Sequence, residues 1–218
     1  MLSFVRREPS ATLLAAQLGA VLLYPFMENS DVGRALFSVF GMAILGLVAF
    51  AVRSTPGLTW VVLLLALPAS VLLVWQAVAR SDELAPYSSA FETPLYLYAG
   101  YTYLRYMLAD HHITRDELYA VGATFTLVAW GFAHCYVVVQ AIYPGSFIAA
   151  VDSDEPRTWM ELLYLSFTTL TSTGLSDVVP VRPFARSVVM LEQLAGLGYV
   201  AMVVSRLVGL LVRSKQAE

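Results

Sequence analysis

The chain has 218 residues, of which 58% are apolar and 13% charged, with a formal net charge of −3 and a mean hydropathy of +0.68. Soluble domains carry about 45–50% apolar and about 25% charged residues, so an ordinary water-soluble globule is excluded. The apolar excess runs the whole length rather than sitting in a leader, and a weakly negative chain offers nothing to nucleic acid.

A helix that crosses the hydrocarbon core needs about 20 mostly apolar residues. The first such block, 11–27, follows Arg6 and Arg7, and its Tyr24-Pro25-Phe26 end lacks the small residues of a cleavage site, so it is expected to remain as a span. Blocks at 35–52 and 58–79 follow, the latter with Pro68 inside, where a kink is expected rather than a break. A fourth span is expected at 94–109. It is less apolar, holding Arg105 and a row of tyrosines (Tyr96, Tyr98, Tyr101, Tyr103, Tyr106), but a helix packed among others can hide such groups. His111 and His112, beside Asp110 in the next loop, read as solvated residues. A fifth span at 118–143 contains His134 and the only cysteine, Cys135, which therefore has no intrachain disulfide partner. Two such neighbours fall short of a tetrahedral metal set and read as packing or hydrogen-bonding residues.

The apolar stretch 158–170 is different. Its 13 residues make a helix about 20 Å long, too short to cross. Thr158 and Glu161 have the spacing of a capping box, with Pro156 just upstream, so the start is well marked. A short helix that enters a membrane and runs into a polar loop is re-entrant, and such backbone is tolerated only when buried in protein or facing water. The last block, 183–212, completes six spans. It carries Glu192 and Gln193, with Gly196 and Gly198 as candidates for a bend or for close packing.

With the N-terminus inside, Arg6, Arg7, Arg53, Arg105, Arg115, Arg213 and Lys215 fall on the inner side, against Arg34, Arg80, Arg157, Arg182 and Arg186 outside. The outer segments also hold Glu28, Asp31, Asp82, Glu83, Glu92, Asp152, Asp154, Glu155 and Asp177. Those near a mouth would concentrate cations, while the rest read as solvated loops.

The loop after the short helix reads TTLTSTGLSDVVP, residues 168–180. A span, an acidic turret, a short helix, this loop and a last span with small residues together resemble the pore module of the potassium channel family. That family ends its pore helix in T-x-T-T-V-G-Y-G-D with a proline a few residues on. Thr169, Thr171, Ser172, Thr173, Gly174, Leu175, Ser176, Asp177 and Pro180 stand at the matching positions, and "LEQLAGLGYVAMVVSRLVGL" is similar to the inner helix of prokaryotic members. The likeness is specific over 155–212 and only architectural elsewhere.

The resemblance implies an ion-conduction filter at Thr171, Ser172, Thr173, Gly174, Leu175 and Ser176, with Glu161, Thr168, Asp177 and Glu192 as its supports. Backbone carbonyls from several copies would replace the water around a dehydrating cation, so a homotetramer is implied. Three departures bear on selectivity. Thr173 stands for valine and brings a hydroxyl that needs a partner. Leu175 stands for tyrosine and loses the phenol that tethers the filter in the family. Ser176 stands for the second glycine. In that glycine's left-handed angles it would cost about 1–2 kcal/mol per subunit.

The fold expected is therefore an all-α integral membrane protein with six transmembrane helices and a re-entrant pore helix and filter loop between the fifth and sixth. Residues 1–117 form a voltage-sensor-like four-helix domain without an arginine ladder, and 118–218 the pore domain. The function expected is a tetrameric, potassium-like cation channel in the cell membrane, conducting passively through 172–176, with both termini cytoplasmic. A poorly selective channel of the same fold and a non-conducting subunit with a collapsed filter stay open beside it. Its partners are monovalent cations, K⁺ and possibly Na⁺, and lipid; no cofactor, other metal or enzymatic activity is expected. Moving one charge through the field is worth about 2.3 kcal/mol per 100 mV, and the fourth span offers Arg105 alone. Voltage dependence is accordingly expected to be weak, and a conductance rising steeply over a small voltage step in bilayer recordings would overturn that expectation.

Overall fold

The computed structural model describes residues 8–27, 31–53, 57–79, 82–109, 114–151 and 155–216. Among them the chain forms seven α-helices: α1 (Pro9–Met27), α2 (Asp31–Val52), α3 (Thr59–Ala79), α4 (Ala85–Leu108), α5 (Arg115–Ile142), α6 (Trp159–Leu170) and α7 (Pro183–Gln216). By length and composition α1, α3, α5 and α7 are apolar enough to cross a membrane, and α2 carries a shorter apolar stretch, Val39–Val52. His111, His112 and Asp110, with Arg6, Arg7, Arg80, Glu28, Asp152 and Asp154, fall outside the described residues.

One element lies outside the all-helical expectation. Strands β1 (Phe147–Ala149) and β2 (Val178–Pro180) pair antiparallel, Phe147 opposite Pro180 and Ala149 opposite Val178. Three-residue strands are too short for a periodicity, so the pairing leaves no trace in the sequence. It ties the chain after α5 to the segment leaving the filter-like loop.

The helices α1 to α5 pack in sequence order, and α5 closes back onto α1. Leu13, Val48, Val62, Ala69, Leu95 and Leu127 are among the residues buried where these helices meet. Trp60 and Trp75, near the two ends of α3, point outward at 61% and 62% exposure. Paired aromatic rings at both ends of an apolar helix suit the two interfaces of a bilayer.

α4 corrects the expected fourth span. It starts at Ala85, well before residue 94, with proline in its first turn, where no backbone bond is lost. Pro94 lies inside the helix without ending it, because α3 and α5 hold α4 on two sides. The earlier start draws Glu92 off the acidic outer rim and into the bundle, where it is only 3% exposed. Ser88, Ser89, Tyr96, Thr102 and Tyr103 share the buried side, which explains why the helix is long but not strongly apolar. Arg105 stays exposed, its guanidinium 6.0 Å from the centroid of the Tyr101 ring.

The first turn of α1 and the later part of α7 both meet the start of α5. Thr114 and Glu117 form a reciprocal capping box, the Glu117 amide donating to Thr114 Oγ1 at 3.2 Å and the Thr114 amide to Glu117 Oε2 at 3.3 Å. The next acid caps a different helix: Asp116 accepts from the Ser10 amide at 3.0 Å and from the Ser10 hydroxyl at 2.7 Å, satisfying an orphan donor in the first turn of α1. Glu117 also meets Arg206 of α7 at 3.3 Å. Replacing Asp116→Ala removes the cap of α1 at a cost of about 1 kcal/mol. The expected result is a melting temperature lower by about 2–4 °C for the detergent-solubilised protein, and an unchanged melt would contradict the capping role.

Candidate ion-conduction site

α6 is held in place at its N-terminal end by charge and caps. The Thr158 amide donates to Glu161 Oε2 at 2.6 Å and the Glu161 amide returns to Thr158 Oγ1 at 3.3 Å, closing the box its sequence announces. Glu161 Oε1 also receives Arg157 Nη1 at 3.0 Å. Arg157 itself is buried, and its guanidinium gathers the carbonyls of Val151 and Glu155. Gln140 of α5 bonds both the amide and the carbonyl of Arg157, fastening the turret to the preceding helix.

The other end of α6 turns back on itself. Thr171 is the last residue with helical angles, and Ser172 follows at φ +58°. The Ser172 amide donates to the Thr169 carbonyl at 3.0 Å and the Thr173 amide to the Thr168 carbonyl at 3.0 Å. These are the two bonds of a Schellman C-cap, with serine in the left-handed place that glycine usually takes. The Gly174 amide also reaches the Thr168 carbonyl, at 3.2 Å, and Gly174 takes φ +64°. The hydroxyl of Thr173 finds partners in that carbonyl at 3.2 Å and in Thr171 Oγ1 at 3.0 Å. Thr168 thus supports the loop through its backbone, as a shared acceptor.

The strain foreseen at Ser176 falls elsewhere. Ser176 keeps a negative φ, and its hydroxyl accepts the Val178 amide at 3.0 Å, a local turn that suits serine. The left-handed residue is Ser172, at a cost of about 1–2 kcal/mol. Beyond Gly174 the carbonyl of Leu175 accepts the hydroxyl of Tyr164 at 3.3 Å, so a phenol from α6 itself touches the loop. Residues 171–175 are all exposed in the single chain, Leu175 at 75%, and Asp177 is exposed where the loop leads into β2.

Behind the loop, Glu192 of α7 is fully buried and accepts from the hydroxyl of Tyr136 on α5 and meets the hydroxyl of Ser166 on α6. Ser166 also reaches the Ala129 carbonyl at 2.8 Å. One carboxyl therefore joins the three helices of this half. α7 runs unbroken through Gly196 and Gly198. At Gly196 a β-carbon would stand 2.2 Å from the Leu170 carbonyl oxygen, so glycine lets α7 lie directly against the end of α6; at Gly198 nothing lies within 4 Å.

Several residues of this region escape notice in the sequence alone. Tyr136, Ser166 and Tyr164 carry no motif and become visible only through Glu192 and the loop. The ion pair of Glu117 with Arg206 has no local signal either, since its members are far apart in the chain. His134, expected to make packing or hydrogen-bond contacts, sits 3.0 Å from Ser89 Oγ and 3.1 Å from Glu92 Oε2.

A family model described as an ion channel matches residues 124–213, from within α5 through α6 and the loop into α7. No curated protein and no solved structure matches the chain. The match and the apolar helices support a membrane protein whose second half is similar to an ion channel, a family that is not a class of enzyme. For the packing around that domain, Gly196→Ala is expected to destabilise by about 1–3 kcal/mol, while Gly198→Ala is near neutral. Equal melting of the two variants would remove the close approach from the account.

Proposed function

We propose that the chain is one subunit of a homotetrameric, potassium-like cation channel of the cell membrane, conducting passively through 172–176. In this reading α1 to α5 and α7 are six spans with both termini cytoplasmic, residues 1–117 a voltage-sensor-like domain, and 118–218 the pore domain. The observation that carries it is the dead end of α6. A 12-residue helix stops between two long apolar helices and delivers an exposed Ser/Thr/Gly loop, within the region that matches the ion channel family. Unpaired backbone at that depth needs protein or water beside it. A ring of copies around an aqueous axis supplies both, and turns the loop's carbonyls and hydroxyls into ligands for a dehydrated cation. The C-terminal end of α6 adds its partial negative charge.

A second reading, poor selectivity, is favoured by one contact. The Leu175 carbonyl is engaged by Tyr164, and a carbonyl bonded to its own subunit is withdrawn from any ring around the axis. The test is the reversal potential of the purified protein in planar bilayers with K⁺ on one side and Na⁺ on the other. A value near the K⁺ equilibrium potential is expected for the first reading, and a value near zero with clear cation current for the second. Under the second reading Tyr164→Phe frees the carbonyl and raises the preference for K⁺. No current from a confirmed tetramer under any condition would overturn both and leave a non-conducting subunit.

A further inference from the structure

A buried polar contact between α4 and α5 lies away from the loop. His134 of α5 and Glu92 of α4 are both buried, their Nδ1 and Oε2 atoms 3.1 Å apart, and Ser89 Oγ approaches the same nitrogen at 3.0 Å. The imidazole lies between aromatic rings of α4 and α6. Tyr96 stacks on it at 5.4 Å and 17°, and Trp159, the first residue of α6, lies against it at 5.7 Å. Trp159 in turn contacts Trp130 of α5 and Tyr24 of α1. Among the described residues, the titratable groups in contact with His134 are Glu92 and Tyr96, both from α4. α6 presents the Trp159 indole, against which Tyr24 of α1 rests, and α3 contributes the neutral Gln76, bonded to Ser88. Among the described residues no arginine or lysine forms an ion pair with Glu92.

We infer that Glu92 and His134 form a buried proton-binding site that clasps α4 to the ion-channel half of the chain, and that its proton content sets conduction. The second clause rests on the channel reading above; the first does not. The argument is a count of protons. A neutral imidazole has one donor and one acceptor, and a carboxylate has acceptors only. One proton held between Nδ1 and Oε2 satisfies the contact, whichever atom carries it. Removing that proton from the neutral pair leaves a carboxylate that only the Nδ1–H tautomer can face, and a net negative charge with no arginine or lysine paired to it among the described residues. Adding a second proton leaves a net positive charge with no partner in apolar surroundings, which such a site does not hold. Either change puts an uncompensated charge between α4 and α5, which a parting of the two helices or the entry of water relieves. The ring that moves is the one packed on Trp159, beside the cap of α6, so the disturbance reaches the helix that carries the loop. An ion pair buried in an apolar bundle is no stabiliser by default, and an ionisable residue within a membrane span marks function more often than scaffolding.

The test has two readouts on the full-length protein in lipid bilayers. With His111 and His112 changed to Asn, His134 is the only histidine left, and its ring nitrogens are followed by nitrogen-15 NMR across about pH 5 to 8. The Nδ1 signal is expected to respond to pH and to move in Glu92→Gln. A signal that is constant with pH and identical in Glu92→Gln overturns the site. In the second readout, bilayer current from the wild type is expected to change over the same range, and Glu92→Gln and His134→Gln to flatten that dependence. Full retention of the pH dependence by a folded variant of either kind overturns the link to conduction. Absence of current at every pH defeats the channel reading alone, because the NMR result still decides whether the proton is shared.

Discussion

A short helix that stops between two long apolar ones leaves its last carbonyls and the amides beyond them in need of partners, and the second half of this chain is arranged around that need. The Schellman turn at Ser172 and Thr173 absorbs two of those amides, and Gly174 sends a third to the same carbonyl of Thr168. Gly196 lets α7 press on the end of α6 at Leu170, so the stop is packed as well as capped. Glu192 then fixes the rear of α6 to both flanking helices through Ser166 and Tyr136. A buried carboxyl is costly unless its oxygens are bonded, and here both are. The loop itself is exposed in one chain, and in the proposed tetramer it would meet the other subunits.

α5 is the wall common to both halves. Its first turn caps α1 through Asp116 and meets α7 through Glu117; its middle holds His134 against α4; its last part anchors the turret through Gln140. The division proposed at 117/118 is thus a division of roles more than of packing. α4 packs most extensively on α5, which makes α5 the main link between α4 and the loop.

The parts of the fold visible in the sequence are those with local causes. Thr158 and Glu161 announce α6 because a capping box lies within four residues, and the apolar blocks announce α1, α3, α5 and α7 because lipid demands length and hydrophobicity. α4 was harder for a physical reason. Its buried face, at Ser89, Glu92, Tyr96, Ala99, Tyr103 and Met107, has helical spacing but mixed polarity, and a proline stands where a water-exposed helix would begin. Starting the span at that proline put Glu92 in an outer loop and hid its meeting with His134, which no spacing along the chain reveals. The loop shows the same limit. Its hydroxyls and glycine suggest a filter, but which residue turns left-handed depends on how the helix is capped, and the cap moves that role from Ser176 to Ser172.

Selectivity in the proposed pore therefore turns on carbonyl supply. Within one subunit the carbonyl of Thr168 is taken up by amides and hydroxyls of its own loop, that of Thr169 by the Ser172 amide, and that of Leu175 by Tyr164. What stays available between them is the short run from Thr171 to Gly174, together with the hydroxyls of Thr171 and Thr173, which already face one another at 3.0 Å. Fewer carbonyl rings mean that less of the hydration shell is replaced, and an ion that keeps part of its water is discriminated less by size. The hydroxyls of this loop are then more than relics of a threonine-rich filter: they are the oxygens positioned to make up for the carbonyl ring that Tyr164 withdraws.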